Sequence, residues 1–371
     1  MAWQRQVEYN MAAQNELDAE GSQMKHLIPY LQDDNKAADY LRQLRWPDGV
    51  TCPRCGSRDI EGRERRGNGL QRYHCPQCAV RLGQPFATFN DWTDSIFEDS
   101  KLRPTEWLLV IGLWELKLNA AEIALAAEIN ERTAQRCINL LDGGIYETYH
   151  LDSERQLGGQ VEADETYQSS GSKGLARQVE QSERQPRQRG LKRRGRATAD
   201  EGRPPILGLV QRRDREDQSA PPAQVYLEVV DNVRTATVKP IITAKVRVGS
   251  QFFTDEYNIY NFATQAGYEH RTVNHGAGEY ARHDPDGICV HCNTMEGIWS
   301  GLQNFLDRFR GISQRFLHLR VARYEFLHNH GHLSWQQTFE AALRSLFSTT
   351  GRYLRRMVHQ HRRIPLTPCY R

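Results

Sequence analysis

The 371-residue sequence contains no run of eighteen or more apolar residues, which excludes a membrane-spanning helix of ordinary length. Its first twenty residues, Met1 to Glu20, are polar and acidic and lack the apolar stretch of a secretory leader, so a cytoplasmic location is expected. Net charge is also scarce. Lys and Arg number 49 against 46 Asp and Glu, and the resulting +3 does not by itself announce a nucleic-acid binder. No internal repeat is present, so the chain is not read as a repeat array.

What is present points to two or three domains, because 39% apolar residues over this length can build at least one real core. Eight cysteines, four of them in two tight pairs, suit a reducing compartment in which thiols hold metal, and disulfides are not expected. Distribution of charge matters more than its sum. Between Lys173 and Arg203 stand ten Lys or Arg against four acidic residues, including Lys192, Arg193, Arg194 and Arg196. This reads as a basic insertion, either a solvated loop or a segment that gains affinity for phosphate backbones by releasing counterions.

Cys52-Pro-Arg-Cys55 and Cys75-Pro-Gln-Cys78 are CxxC knuckles separated by nineteen residues. Two such turns complete a closed, all-thiolate tetrahedral site for one structural Zn2+, with no position open for catalysis. Residues 49–84 are therefore read as a zinc ribbon carrying a hairpin with Arg63, Arg65, Arg66, Arg72, Tyr73 and His74, whose partner is DNA or protein. A third CxxC, Cys289-Val-His-Cys292, lacks a second pair at ribbon spacing and is not assigned a metal.

Residues 1–24 are read as a flexible tail and 25–48 as a helical lead-in, with a helix start at Asp33 to Asn35 and a turn at Trp46-Pro-Asp-Gly49. Residues 99–145 are strongly helical. Trp107, Leu108, Val110, Ile111, Leu113 and Trp114 supply one apolar helix. A helix over 120–128, capped by Asn119 with Glu122 as its capping-box partner, precedes another from Arg132 to Leu141, ended by Gly143 and Gly144. The pair has helix-turn-helix proportions and would offer Arg132, Gln135 and Arg136 to a DNA groove, although ordinary core packing also produces such pairs.

From residue 158 to 330 strands alternate with helices, at 161–167, 206–211, 225–230 and 251–255 with a helix at 235–246, which implies a mixed sheet with helices on its faces. Three acids stand where structural reasons for them are weak. Asp164 lies inside the strand-like Val161-Glu-Ala-Asp-Glu-Thr-Tyr167, Asp255 closes Gln251-Phe-Phe-Thr-Asp255, and Glu296 opens a helix in Asn293-Thr-Met-Glu-Gly-Ile-Trp299. Each alone fits a strand-end cap or a surface ion pair. Together they offer an oxygen cage suited to two Mg2+ or Mn2+ ions and in-line phosphoryl transfer.

At these residues the chain resembles the insertion-sequence-1595, or ISXO-like, family of bacterial transposases over roughly residues 26 to 335. The likeness is carried in one order by Trp46-Pro-Asp-Gly49 with Cys52-Pro-Arg-Cys55, Ile96-Phe-Glu-Asp-Ser-Lys101, Val161 to Tyr167, Phe253-Thr-Asp-Glu-Tyr257, His275-Gly-Ala-Gly-Glu-Tyr280 and Val290-His-Cys-Asn-Thr-Met-Glu-Gly297. It implies an RNase H-like domain with Asp164, Asp255 and Glu296 as metal ligands, preceded by the zinc ribbon and the helical domain. Asn293 is a secondary candidate for the third ligand. Where many members carry Lys, seven residues after the Glu, this chain has Gln303, with Arg308 and Arg310 nearby as candidate DNA contacts. His275 and His291 lie at matched positions and are candidates for binding DNA or orienting ligands.

The expected activity is cleavage of transposon ends followed by strand transfer into target DNA. The expected partners are DNA and further copies of the chain, most simply a homodimer, located in the cytoplasm and on the nucleoid when DNA-bound. Two alternatives stand beside it: a catalytically decayed DNA-binding regulator, and an RNase H-like nuclease that cuts without joining. Residues 331–371 form an amphipathic and then Arg-rich extension whose role is open.

Overall fold

The Asp33 carboxylate accepts hydrogen bonds from the backbone N–H groups of Asn35 and Lys36 and so opens α1 (Asp34–Arg45), as its position in the sequence leads one to expect. The computed structural model describes residues 24–83, 87–169, 203–213, 223–274, 278–309, 311–351 and 354. Among them no helix is long and apolar enough to cross a membrane. The chain divides into two units, Met1–Leu116 with Leu333–Arg344, and Lys117–His332 with Ser345–Arg371.

In the first unit the ribbon is a three-stranded antiparallel sheet in the order β1 (Glu61–Arg65), β2 (Gln71–His74), β3 (Thr88–Asn90), with α2 (Pro76–Leu82) between the last two strands. Its third strand lies past the boundary expected at residue 84. Tyr73 and Phe89 stack at 5.1 Å and pack with Trp46 and the cysteines into a small core. Buried Asp91, just after β3, ties this core to α1. It takes two 2.8 Å bonds from Arg42, one from the Tyr73 hydroxyl at 3.0 Å and one from the Gln71 N–H. A bidentate, charge-assisted pair of this kind fixes orientation as well as contributing energy. Helix α3 (Pro104–Glu115) follows, starting on a proline and almost wholly buried, which explains why its sequence is apolar on all sides.

In the second unit Asn119 and Glu122 form the expected capping box at the start of α4 (Ala120–Ala126), and Asn130 caps α5 (Glu131–Ile145). The 99–145 stretch is therefore shared, α3 belonging to the first unit and α4 and α5 to the second. Gly143 and Gly144 do not end α5. Both are buried within it, and a Cβ on Gly143 would sit 3.2 Å from Leu354, so Gly143 serves close packing. A π-helical turn, Tyr146–His150, then leads to the sheet.

That sheet has five strands in the order β6 (Gln224–Val229), β5 (Pro205–Gln211), β4 (Gln160–Tyr167), β7 (Gln251–Asp255), β8 (Glu269–Val273). β5 runs antiparallel to both β6 and β4, and β4, β7 and β8 are parallel. Helix α6 (Thr235–Lys245) covers one face, where Val238, Ile241 and Ile242 meet Val161, Ala163, Leu209 and Phe252. The other face packs against α7 (Asn293–Asp307) and α8 (Gln314–Asn329), where Met295, Ile298 and Leu302 meet Ile206, Val210 and Leu227. A two-stranded ribbon, β9 (Ala281–His283) with β10 (Cys289–His291), precedes α7. This five-stranded mixed sheet flanked by helices is the architecture expected of the RNase H-like reading. Helix α9 (Trp335–Phe347) comes last, and within the first unit its Trp335 and Phe339 rings lie 4.9 and 5.7 Å from His26.

One buried ion cluster in the second unit is invisible to pattern reading. His150 Nδ1 lies 3.0 Å from Glu325 and Nε2 lies 3.0 Å from Glu228, while the ring is stacked between Tyr146 and Tyr226 at 4.8 Å each. Burial favours the neutral ring, but the Glu325 and Glu228 carboxylates outweigh it and raise His150 to about 9. Arg155 completes the cluster by pairing with Glu325, and Lys245 donates to the Asp152 carbonyl at 2.6 Å beside it. A folded-state pKa raised above the unfolded value contributes stability that is complete below the unfolded pKa and is lost as pH rises through the folded one. Thermal melting should therefore show a stability loss from about pH 6.5 to 9 that His150→Gln flattens; an unchanged profile in that variant contradicts the assignment.

Candidate functional site

The four ribbon cysteines converge. Cys52 and Cys55 sit on a knuckle closed by the Gly56 N–H bond to the Cys52 carbonyl at 2.8 Å, with Gly56 in the left-handed region at φ 74°. Cys75 caps α2 and accepts the Cys78 N–H at 3.4 Å. All four sulfurs lie within 4.8 Å of one another, with Cys52 to Cys78 at 3.7 Å and Cys55 to Cys75 at 3.6 Å. A tetrahedral Zn2+ with bonds of about 2.3 Å requires sulfur separations of about 3.8 Å, so the set fits that ion. Burial, reinforced by the neighbouring sulfurs, pushes the Cys78 thiol up to about 12, the penalty a bound cation removes. The hairpin arginines are largely matched by acids of their own unit: Arg63 with Glu61 at 2.9 Å, Arg65 with Asp39 at 2.5 Å and Arg72 with Glu64 at 3.1 Å.

The sheet acids gather at one end. In the parallel pair β4·β7, Gln160, Val161 and Glu162 face Gln251, Phe252 and Phe253. Continuing that register by two residues brings Asp164 level with Asp255. Strand alternation puts both on the α7 face, since Val161, Ala163 and Phe252 pack on the α6 side while Phe253 packs with Val290 and Cys292. Asp164 accepts from the Trp299 indole N–H at 2.8 Å, and Trp299 is one turn along α7 from Glu296, which is exposed in its first turn. Asp255 also accepts the Tyr257 N–H at 3.0 Å, a local strand-end cap. Negative charge accumulates there. Burial first, then Glu165, Asp164 and Asp255, hold the Tyr260 hydroxyl well above its ordinary range. Among the described residues only the four cysteines form a set of three or more ligand side chains within 4.8 Å, so the three acids share a face without closing to that distance.

Sequence reasoning passed over Glu162, the site's most heavily engaged carboxylate. It is fully buried on β4 and takes bonds from Arg212 at 2.6 Å, the Thr294 hydroxyl at 2.7 Å and the Met295 N–H at 3.0 Å, with His291 Nδ1 at 3.2 Å. Burial opposes ionisation, but His291, Arg212 and Thr294 together hold Glu162 below the usual carboxylate range. Arg212 also donates to the Cys289 and His291 carbonyls at 2.8 and 2.6 Å, so one ion pair fixes both β10 and the start of α7. The available signal was a second acid on the inward-facing alternation of β4. Gly208, opposite Asp164, was missed as well. A Cβ there would come within 2.4 Å of the Trp299 ring, so glycine makes room for the indole that holds Asp164.

Among the other candidates, Asn293, Glu296 and Gln303 occupy one exposed stripe of α7, and the Gln303 amide donates to Asp307 at 2.6 Å. A cleft of about 270 Å3 opens beside Gln303, lined also by Tyr167, Gln168, Ser169 and Leu306. His291 is partly buried, with its Nδ1 3.2 Å from Glu162. Arg132, Gln135 and Arg136 are exposed on α5, and Arg308 is exposed at the end of α7. His275, Arg310 and the basic segment with Lys192, Arg193 and Arg194 lie outside the described residues.

Comparison with known proteins finds transposase domains and relatives. The family model of the ISXO2-like transposase domain matches residues 156–329, and that of a transposase zinc-ribbon domain matches residues 32–81. The chain is 30% identical over 288 residues to an uncharacterized protein in transposable element ISH50 of Halobacterium salinarum, covering 76% of this chain and 86% of that one. It is 27% identical over 113 residues to an uncharacterized transposase-like protein of Haemophilus influenzae, 30% of this chain and 87% of the relative. No solved structure matches the chain.

Two outcomes follow from this geometry. Elemental analysis of the purified protein should find one zinc per chain, lost in Cys75→Ser; full zinc retention in that variant contradicts the four-sulfur site. Glu162→Ala strands the Arg212 guanidinium and should cost about 3–5 kcal/mol in a denaturant melt, whereas a cost under about 1 kcal/mol contradicts the anchoring role.

Proposed function

Because the chain belongs to the insertion-sequence-1595 family of ISXO2-like transposases, we propose that it cuts the ends of a mobile element and joins the freed 3'-hydroxyl to target DNA. Asp164, Asp255 and Glu296 are the residues assigned to hold two Mg2+ or Mn2+ ions, with Asn293 as an auxiliary oxygen ligand. The observation that supports this reading best is the parallel β4·β7 register, which runs to Glu162↔Phe253 and, continued by two residues, would set Asp164 level with Asp255 on the face covered by the α7 segment bearing Glu296.

When bound, such a pair of ions lowers the pKa of the attacking water or hydroxyl and stabilises the leaving oxygen. The chain's own residues do the rest. Trp299 orients the Asp164 carboxylate through its indole N–H, and Glu162 with Arg212 fixes the first turn of α7 and hence Glu296. The Gln303 amide lies on the Glu296 stripe and offers a hydrogen bond, without charge, to a phosphate oxygen. Exposed Arg132, Gln135 and Arg136 on α5 grip the end sequence, and the ribbon contributes a zinc-held surface for DNA or a second protomer. Two ends must be brought together, so the working species is an oligomer, most simply a dimer.

A second reading, a regulator derived from such an enzyme, is favoured by one observation. Gln303 is neutral where many relatives are expected to carry Lys, and its amide is engaged by Asp307. The experiment uses the purified chain and a labelled duplex carrying one end of the element. Mg2+-dependent nicking, with transfer of the label to a target duplex, is expected, and Asp164→Ala should reduce both to background. Cutting that survives Asp164→Ala contradicts the assignment, cutting without joined product identifies a nuclease, and DNA binding without any cutting identifies the regulator.

A further inference from the structure

The β4·β7 ladder ends before the acids. Its last partners are Glu162 and Phe253, so Asp164 and Asp255 each stand two residues past the paired backbone. Each acid is still held from its outer side, Asp164 opposite Gly208 of β5 and Asp255 opposite Val273 of β8. Their separation from each other therefore depends on what joins the two strand ends beyond the ladder.

A buried side-chain bond does so. After Asp255 the chain turns, with the Thr254 hydroxyl donating to the Asp255 carbonyl at 2.7 Å, and winds into a single 3-10 turn, Asn258–Tyr260. The Thr235 hydroxyl at the head of α6 donates to the Ile259 carbonyl at 3.4 Å and ties this turn to the helix. Tyr260 is thereby brought under the α6 face, fully buried with Val161, Ala163 and Phe252. Its hydroxyl donates to the Glu165 carboxylate at 2.9 Å. Glu165 follows Asp164 on β4, and strand alternation turns it to the α6 face, away from the side on which Asp164 meets Trp299.

The chemistry of the bond suits the place. A hydrogen bond to a carboxylate is roughly twice as strong as one between neutral groups, and it is stronger still out of water. Tyrosine supplies the donor without a positive charge, so Glu165 is fixed while the negative charge at the sheet end is left uncancelled. An Arg or Lys at this position would hold Glu165 equally well and weaken the attraction for cations.

We propose that Tyr260 and Glu165 are a positioning pair that sets the separation of Asp164 and Asp255, and with it the affinity of the sheet end for divalent cations. The inference rests on the proposed function, which assigns those cations to Asp164, Asp255 and Glu296. Neither Tyr260 nor Glu165 is a ligand; both act through the strand ends they join.

The test is calorimetric titration of the full chain, zinc in its ribbon, with Mn2+ alone. The unsubstituted protein should bind Mn2+ at a site lost in Asp164→Asn. Tyr260→Phe keeps the buried ring and should weaken that binding by about tenfold, the lower end of the range for partners of metal ligands. Glu165→Gln keeps an acceptor for the hydroxyl and should retain most of the affinity, whereas Glu165→Ala should match Tyr260→Phe. The double variant Tyr260→Phe/Glu165→Ala should lose no more than either single change, as expected of two residues acting through one bond. A lowered melting temperature with unchanged Mn2+ affinity identifies a merely structural pair and overturns the proposal, as do additive losses in the double variant; both leave the metal cage standing. Should Tyr260→Phe fail to fold, equal affinities in Glu165→Gln and Glu165→Ala overturn it instead. Absence of any Asp164-dependent Mn2+ binding in the unsubstituted protein rejects the cage, and the positioning pair with it.

Discussion

The second unit is organised around one buried carboxylate. Glu162 lies in the central strand and is removed from water, so its charge is tolerable only because Arg212, Thr294, the Met295 N–H and His291 surround it. Those partners come from the end of β5, from β10 and from the first turn of α7, and satisfying Glu162 requires all three to assemble at once. The helix N-terminus contributes its own positive end to the same charge. An apolar residue at this position could fill the space but could not specify where α7 begins. Since α7 carries Asn293, Glu296, Trp299 and Gln303 at helical intervals, fixing its start fixes the whole stripe that faces the proposed catalytic end of the sheet.

Charge is partitioned rather than accumulated, which is how a chain of formal charge +3 can address DNA. The ribbon arginines are matched by acids of their own unit, and the His150 cluster balances cations against carboxylates in the interior. Negative charge is left at the ends of β4 and β7, where Asp164, Glu165 and Asp255 bear on Tyr260. In the proposed reaction Asp164 and Asp255, with Glu296, would gather the divalent ions that meet a DNA phosphate.

The zinc ribbon and the sheet were legible in the sequence for different reasons. The ribbon was announced by two knuckles at fixed spacing, a local pattern that few other structures need. The strands at 160–167, 205–211 and 251–255 were announced by apolar runs, and Asp164 and Asp255 stood out as acids that strand propensity disfavours. The capping box at Asn119 and Glu122 was readable because caps are local chemistry. Glu162 was not readable, because only the fold reveals that Arg212, fifty residues later, reaches it. Nor was the His150 cluster, whose partners lie 78 and 175 residues away. Gly143 and Gly144 misled for a related reason: glycine reads as a helix stop, yet both are buried inside α5, Gly143 close against Leu354.

The central claim is that Asp164, Asp255 and Glu296 hold two divalent ions against a DNA phosphate. Its most direct measurement is anomalous diffraction from crystals of the protein bound to DNA and soaked in Mn2+. The account predicts two manganese peaks about 3.5–4 Å apart, contacted by those three carboxylates, in addition to one zinc peak among Cys52, Cys55, Cys75 and Cys78. A zinc peak alone, with DNA seated over the α7 face and no manganese at the sheet end, would contradict it.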